Sequence, residues 1–398
     1  MEYRKTFLEL EKEIGIFYYS TLSDGIGGKI KQRLEDFVVV EDAYHERDGN
    51  GMHYAVKIKK VGIPTFRMVH LIASKLNIRK KFIGVAGMKD TDAVSIQTIS
   101  VPATVDEEKI KKLNEIEGIE VLGVYRIRRK IRPGMLFGNN FEVFVRECVC
   151  DEEKLKRIRA EITAKGCPNF FGYQRFGTVR PNTHLLGKYL VKRQYSDFIR
   201  ELVYKVYEKE SEEAKVARKL AENGSYSEAL ETMPRSLWLE RKVVKMLKEG
   251  LKEKQIVERL DRQMLRFFVN AYQSYLFNLM VSKRMEKGYP LLTRISGDFV
   301  KGGLPAFPLL GVKSKLPKDE SGELVKEVIE KEDVELRDFK LEVGNIKVLG
   351  NIRKIPLVFD SLQYEVINSS IKLKFWLEKG SYATMLLREF CKNSMGLF

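Results

Sequence analysis

The sequence predicts a chain of mixed strand and helix content in which β-rich stretches at the two ends bracket a mainly helical module. Three observations predict this. Short apolar runs and alternations, separated by Gly-, Pro- and Asn-containing turns, recur from about Phe37 to Val145. From about Pro181 to Lys287 the composition shifts to Lys, Arg, Glu and Leu at helical spacing, with few strand signals. Glycine and proline then return after Gly297, and Ile371, Leu373, Phe375 and Leu377 alternate before a final helix. At 398 residues the chain is long for one core, so two domains, or one domain with a large insertion, are expected.

Taken in order, Gly25, Gly27 and Gly28 read as a loop ahead of a strand over Phe37 to Glu41. Their spacing fits neither GxxxxGK[ST] nor GxGxxG before a helix, which argues against a nucleotide-phosphate cradle. Val38, Val39 and Val40 are apolar on both faces, as in a central strand. Asp48-Gly49 and Asn50-Gly51 are turn signals, and Tyr54, Val56 and Ile58 alternate beyond them, so the two strands are expected to form a hairpin. Thr65 is placed to cap a helix reaching about Arg79, with Phe66, Val69, Ala73 and Leu76 as its buried stripe. Arg79, Lys80 and Lys81 follow, where they suit a helix C-terminus and equally a phosphate.

A helical stretch near Asp106 to Glu117 leads to YRIRRKIRPGMLFGNNF. Arg126, Arg128, Arg129, Lys130 and Arg132 crowd positive charge beside Tyr125, and a strand with Phe141, Val143 and Val145 on one face comes next. Five basic residues within seven positions beside a strand point to a nucleic-acid groove. A helix from Asp151 to about Lys165 precedes the aromatic loop CPNFFGYQRFG, either a rigid corner or a surface for stacking bases; its Arg175 joins the expected RNA contacts. In the helical module, Ala271, Tyr275, Asn278 and Leu279 share related faces and read as core, and a further helix covers about Ser321 to Glu330.

Composition bounds the function. The 71 Lys+Arg against 55 Asp+Glu, a formal charge of +16, favour a polyanionic partner. No apolar run reaches bilayer length and the N-terminus lacks a signal-peptide core, so a cytoplasmic protein without membrane association is expected. Cys148, Cys150, Cys167 and Cys391 lack CxxC spacing, and His45, His53, His70 and His184 lack metal-site spacing, so no metal is expected.

The stretch FIGVAGMKDTDAVSIQTISV presents Asp90 at a turn between β-type runs. Such an aspartate ordinarily hydrogen-bonds its own turn. Asp90 and Asp92 as a nuclease metal pair are disfavoured, because no further acidic cluster or histidine completes a ligand shell. A non-catalytic RNA-binding protein uses the same basic and aromatic features but gains nothing from a carboxylate facing the RNA.

GGKIKQRLEDFVVVE, GMKDTDAVSIQ, RRKIRPGMLFGNNF, CPNFFGYQRFG and FWLEKGSYATMLLREF, in this order over about residues 25 to 391, resemble the blocks of the TruD family of tRNA pseudouridine synthases. The resemblance implies an α+β fold: a catalytic core with a mixed, largely antiparallel sheet flanked by helices, and an inserted, mainly helical TruD-specific domain. It places the core at residues 1–175 and 351–398 and the insertion at 176–350, a module longer than in bacterial members and of archaeal type. The implied activity is cofactor-free isomerisation of uridine to pseudouridine at position 13 of tRNA, with the nucleotide flipped out. The nucleophile falls on Asp90 and the family lysine on Lys31, where it would support the carboxylate's charge; uridine contacts fall on Phe37, Asn139, Phe141 and Phe375. The implied partner is tRNA, and a monomer is compatible with the sequence.

Overall fold

The computed structural model describes residues 1–44 and 47–396; His45 lies outside the described residues. The chain divides into two compact units, one made of Ser23–Ala160 with residues 357–396, the other of Met1–Leu22 with Glu161–Pro356.

The first unit is built on one nine-stranded sheet. Its strands are β1 (Gly27–Lys29), β2 (Phe37–Ala43), β3 (His53–Val61), β4 (Gly84–Val85), β5 (Val94–Pro102), β6 (Ile119–Ile127), β7 (Leu136–Cys148), β8 (Phe359–Ile367) and β9 (Ser370–Glu378). The order is β8-β9-β7-β2-β5-β3-β6, with β1 also on β7 and β4 on β5. Only the β2–β5 pair is parallel, so the sheet is mixed and largely antiparallel and the unit is α+β. Alternation explains one buried face: Tyr54, Val56 and Ile58 of β3, with Ile99 and Val101 of β5, pack on Met68 and Ile72 of helix α1 (Thr65–Lys75) and on Leu76 just after it.

Two local expectations are corrected. β2 and β3 do not form a hairpin, because β5 lies between them, parallel to β2 and antiparallel to β3. Asp48-Gly49 and Asn50-Gly51 turn the chain, but a turn signal does not specify the strand that is met afterwards. In α1 the buried stripe is Thr65, Met68, Ile72 and Ala73, continued by Leu76, whereas Phe66 is 68% exposed. Pro64 occupies the cap position, and Thr65, the first helical residue, spends its hydroxyl elsewhere.

The second unit is mainly helical and centres on the helix Arg262–Glu286, whose Ala271, Tyr272, Leu276, Phe277 and Asn278 are buried. It also holds a three-stranded sheet of Phe299–Lys301, Leu304–Leu309 and Asn351–Lys354. The N-terminal segment packs here rather than with the large sheet: Asn278 donates to the Ile14 carbonyl at 3.0 Å, Ser282 to that of Gly15 at 2.7 Å, and the Tyr173 hydroxyl to Glu11 at 2.5 Å. A short segment without a core of its own is held by such buried bonds. No helix among the described residues is long and apolar enough to cross a membrane.

Candidate active site

The loop between β4 and β5 carries Asp90 past the start of α1, where the Lys89 N–H meets Thr65, on the sheet face where Lys60 follows Tyr54, Val56 and Ile58. β4 runs antiparallel to β5, so the chain leaving Val85, opposite Ile99, must travel back to the start of β5 at Val94. That return path includes Asp90. Its carboxylate meets Lys31, with Nζ 2.6 Å from Oδ2, and the same ammonium lies 4.6 Å from the centre of the Phe37 ring. The Asp90 side chain is 42% exposed and that of Lys31 13%, so the carboxylate faces outward while its cation is tucked beneath.

Lys31 sits in a left-handed backbone conformation, φ 58°, which costs on the order of 1 kcal/mol for a residue with a Cβ. Its surroundings hold it there. Ile30 is buried and donates its N–H to the Met395 carbonyl, Asn393 donates to the Gly28 carbonyl, and β1 is paired to β7. Gly28 permits that pairing, since at φ 96° an added Cβ would stand 2.5 Å from Val145 Cγ1. Downstream, Asp36 accepts both the Arg33 N–H and a forked contact from the Arg146 guanidinium, closing the loop between Lys31 and β2.

Asp90 is also held from behind, by residues the sequence reading did not select. Lys60 is fully buried, and its ammonium donates to the carbonyls of Asp90 and Ile63, each at 2.7 Å. Burial pulls the Lys60 ammonium down to about 8, the Asp90 charge opposing this and Lys89 adding to it. Thr65 Oγ1 accepts the Lys89 N–H at 2.9 Å. The Lys89 ammonium reaches Glu41 at 2.8 Å in a buried ion pair, and the other Glu41 oxygen accepts the Thr98 N–H. One signal was present in the sequence: the alternation Tyr54, Val56, Ile58 continues at Lys60, putting a lysine on the face that alternation marks as buried.

The remaining uridine-contact candidates share this sheet. Register sets Val39, Phe141 and Phe375 side by side on β2, β7 and β9, and sets Glu41, Asn139 and Leu377 side by side two residues along, on the same face. Phe141 stacks on Phe375 at 5.3 Å and meets Phe37 edge-on at 6.0 Å. Phe37 and Phe375 are almost wholly buried, and Phe141 is half-buried between them. The Asn139 side-chain carbonyl is buried with no hydrogen-bond partner among the described residues. A buried acceptor left open in this way suits a ligand N–H or O–H.

The basic candidates separate. Arg126 donates to the Gly51 carbonyl at 2.9 Å and lies over the Tyr54 ring, and Lys130 donates to the Lys81 carbonyl, so both are engaged within the fold. Arg128, Arg129 and Arg132 are exposed. Arg175 belongs to the other unit, where it donates to Ser274 and covers Phe267. Asp92 is exposed beside Asp90, and among the described residues no group of three or more His, Cys, Asp or Glu is arranged to hold a metal ion.

The family model for TruD, tRNA pseudouridine synthase D, matches residues 13–303 and 301–390. The chain belongs to the TruD family. It is 35% identical over 410 residues to a probable tRNA pseudouridine synthase D of Pyrobaculum islandicum, covering 96% of each chain. A protein of the same description from Methanosarcina barkeri is 31% identical, with 96% of this chain and 98% of that one aligned. The crystal structure of the putative TruD of Methanosarcina mazei superposes with a TM-score of 0.82 at 30% identity, covering 98% of this chain and 99% of that one. TruD membership thus rests on nearly the whole chain, both units included.

Proposed function

We propose that this TruD-family chain converts uridine to pseudouridine in tRNA, at position 13, with Asp90 as the nucleophile. The single observation that carries the reading is the outward-facing Asp90 carboxylate, paired with Lys31 on one side and anchored through its own backbone to buried Lys60 on the other. The catalytic core is residues 1–175 and 351–398, the mainly helical stretch 176–350 is the inserted module, and the protein acts in the cytoplasm, where its substrate is found.

The reaction breaks the bond from ribose C1′ to uracil N1 and forms one from C1′ to C5. A proton leaves C5 and one is gained at N1, so nothing is added overall and no redox step is involved. Ionised Asp90 serves by adding to C1′, by adding to the base, or by taking a ribose proton to give a glycal. In each route the nucleotide must leave its stack, which costs a few kcal/mol. Phe141, between Phe37 and Phe375, supplies apolar contact that offsets part of this, and the open Asn139 carbonyl accepts from a uracil N–H.

Incubation of the protein with tRNA transcript, followed by mapping of pseudouridine at each position, tests the reading. Product at position 13 is expected, with Asp90→Asn inactive yet binding tRNA within a few-fold of the parent. Turnover by Asp90→Asn removes the nucleophile; binding by the parent without product leaves a non-catalytic RNA-binding protein.

A further inference from the structure

Two basic tracts far apart in the sequence lie against one another beside the Asp90 loop. The turn Lys80–Phe82 follows α1, and the segment after β6 runs along it. Lys130 donates to the Lys81 carbonyl, the Ile131 N–H donates to Ser100 Oγ, and the Gly134 N–H donates to the Ala86 carbonyl at 2.7 Å. Gly84 makes the approach possible, since an added Cβ there would stand 2.2 Å from the Ile131 carbonyl oxygen.

The side chains of this seam point outward. Arg79, Lys80, Arg128, Arg129 and Arg132 are exposed, and none has an ion-pair or hydrogen-bond partner for its side chain among the described residues. Between them stands Phe82, 44% exposed, with the Lys81 ammonium 5.4 Å from its ring centre. Asp90 follows Ala86 by four positions, a span of at most about 14 Å even when extended. RNA that delivers a nucleotide to Asp90 therefore brings its neighbouring phosphates within reach of the seam.

We propose that Arg79–Phe82 and Arg128–Arg132 together form a track for single-stranded RNA flanking the target nucleotide, with phosphates on the cations and one flanking base on Phe82. The inference rests on the proposed function and extends it to the form of RNA recognised. An aromatic ring presented among unpaired cations matches single strands, whose bases offer free faces; a duplex brings phosphates but keeps its base faces stacked.

Full-length protein is titrated, over a range of salt, with labelled tRNA transcript, an unstructured oligonucleotide and a duplex of equal length. The Arg79→Gln/Lys80→Gln/Lys81→Gln triple variant is expected to flatten the slope of log affinity against log salt on the single strand by about 2, near 0.7 per lost phosphate contact. Phe82→Ala is expected to weaken single-strand binding by about tenfold with the slope unchanged and duplex binding unaffected. Parental slope and affinity in both variants would overturn the track, as would equal losses on duplex and single strand. Pseudouridine formation by the parent, measured in parallel, separates the two ideas. Product with unaltered variant binding sinks the track alone, and altered binding without product sinks the catalytic reading.

Discussion

The ammonium of Lys60, buried completely beneath the sheet surface, donates to the backbone carbonyl of Asp90 at 2.7 Å. A lysine in that position is held where the chain needs it, because its second bond, to Ile63, ties the same group to the loop just after β3. The outward carboxylate is therefore fixed through its backbone as well as through Lys31.

Lys60→Met is expected to lower single-turnover pseudouridine formation by about 100-fold, the order expected of an ångström-scale displacement of a reacting group. tRNA affinity should stay within about threefold, since Lys60 is shielded from solvent. Unchanged turnover, or a loss confined to binding, would show that the bond does not position Asp90.

Lys60 also predicts a pH dependence of stability. Its ammonium is held down to about 8 in the folded protein, against an ordinary value of 10.5. Between these values the unfolded chain binds the extra proton, so stability from this group rises as pH rises through the window. The stability difference between parent and Lys60→Met, followed by denaturant unfolding from pH 7 to 10.5, should shift in the parent's favour. A flat difference contradicts it.

The Glu41–Lys89 pair is buried on both sides, with side chains 1% and 5% exposed. Glu41→Gln leaves the Lys89 cation without a counter-charge and is expected to destabilise the sheet unit by about 3 kcal/mol. Adding Lys89→Met should restore part of the loss, because the stranded charge is then gone. Strict additivity in denaturant unfolding would show that the two residues do not act as a pair.

Asn139 makes the opposite prediction. Its side-chain carbonyl has no partner among the described residues, so Asn139→Ala removes no internal hydrogen bond seen at that atom and should change the melting temperature little. Turnover on tRNA transcript should nevertheless fall by about 10- to 100-fold if a uracil N–H is the missing donor. A large loss of stability with turnover preserved would assign Asn139 to the fold.

By itself the sequence carried the β-rich ends, the helical interruption and the turn that displays Asp90, because each is written in local periodicity and turn chemistry. It also carried the alternation that makes Lys60 anomalous, although period 2 names a face and not the partner awaiting the ammonium there. Tertiary structure alone decided that β5 separates β2 from β3, that Phe66 faces outward, and that Met1–Leu22 joins the helical unit. It also decided that Arg126 and Lys130 serve the fold while Arg128, Arg129 and Arg132 stay exposed. The physical reason is common to these cases. Pairing and burial depend on which distant strands compete for the same edge or cation, and that competition is settled only when Asp90, Lys31, Lys60 and Lys89 are brought together by the assembled sheet.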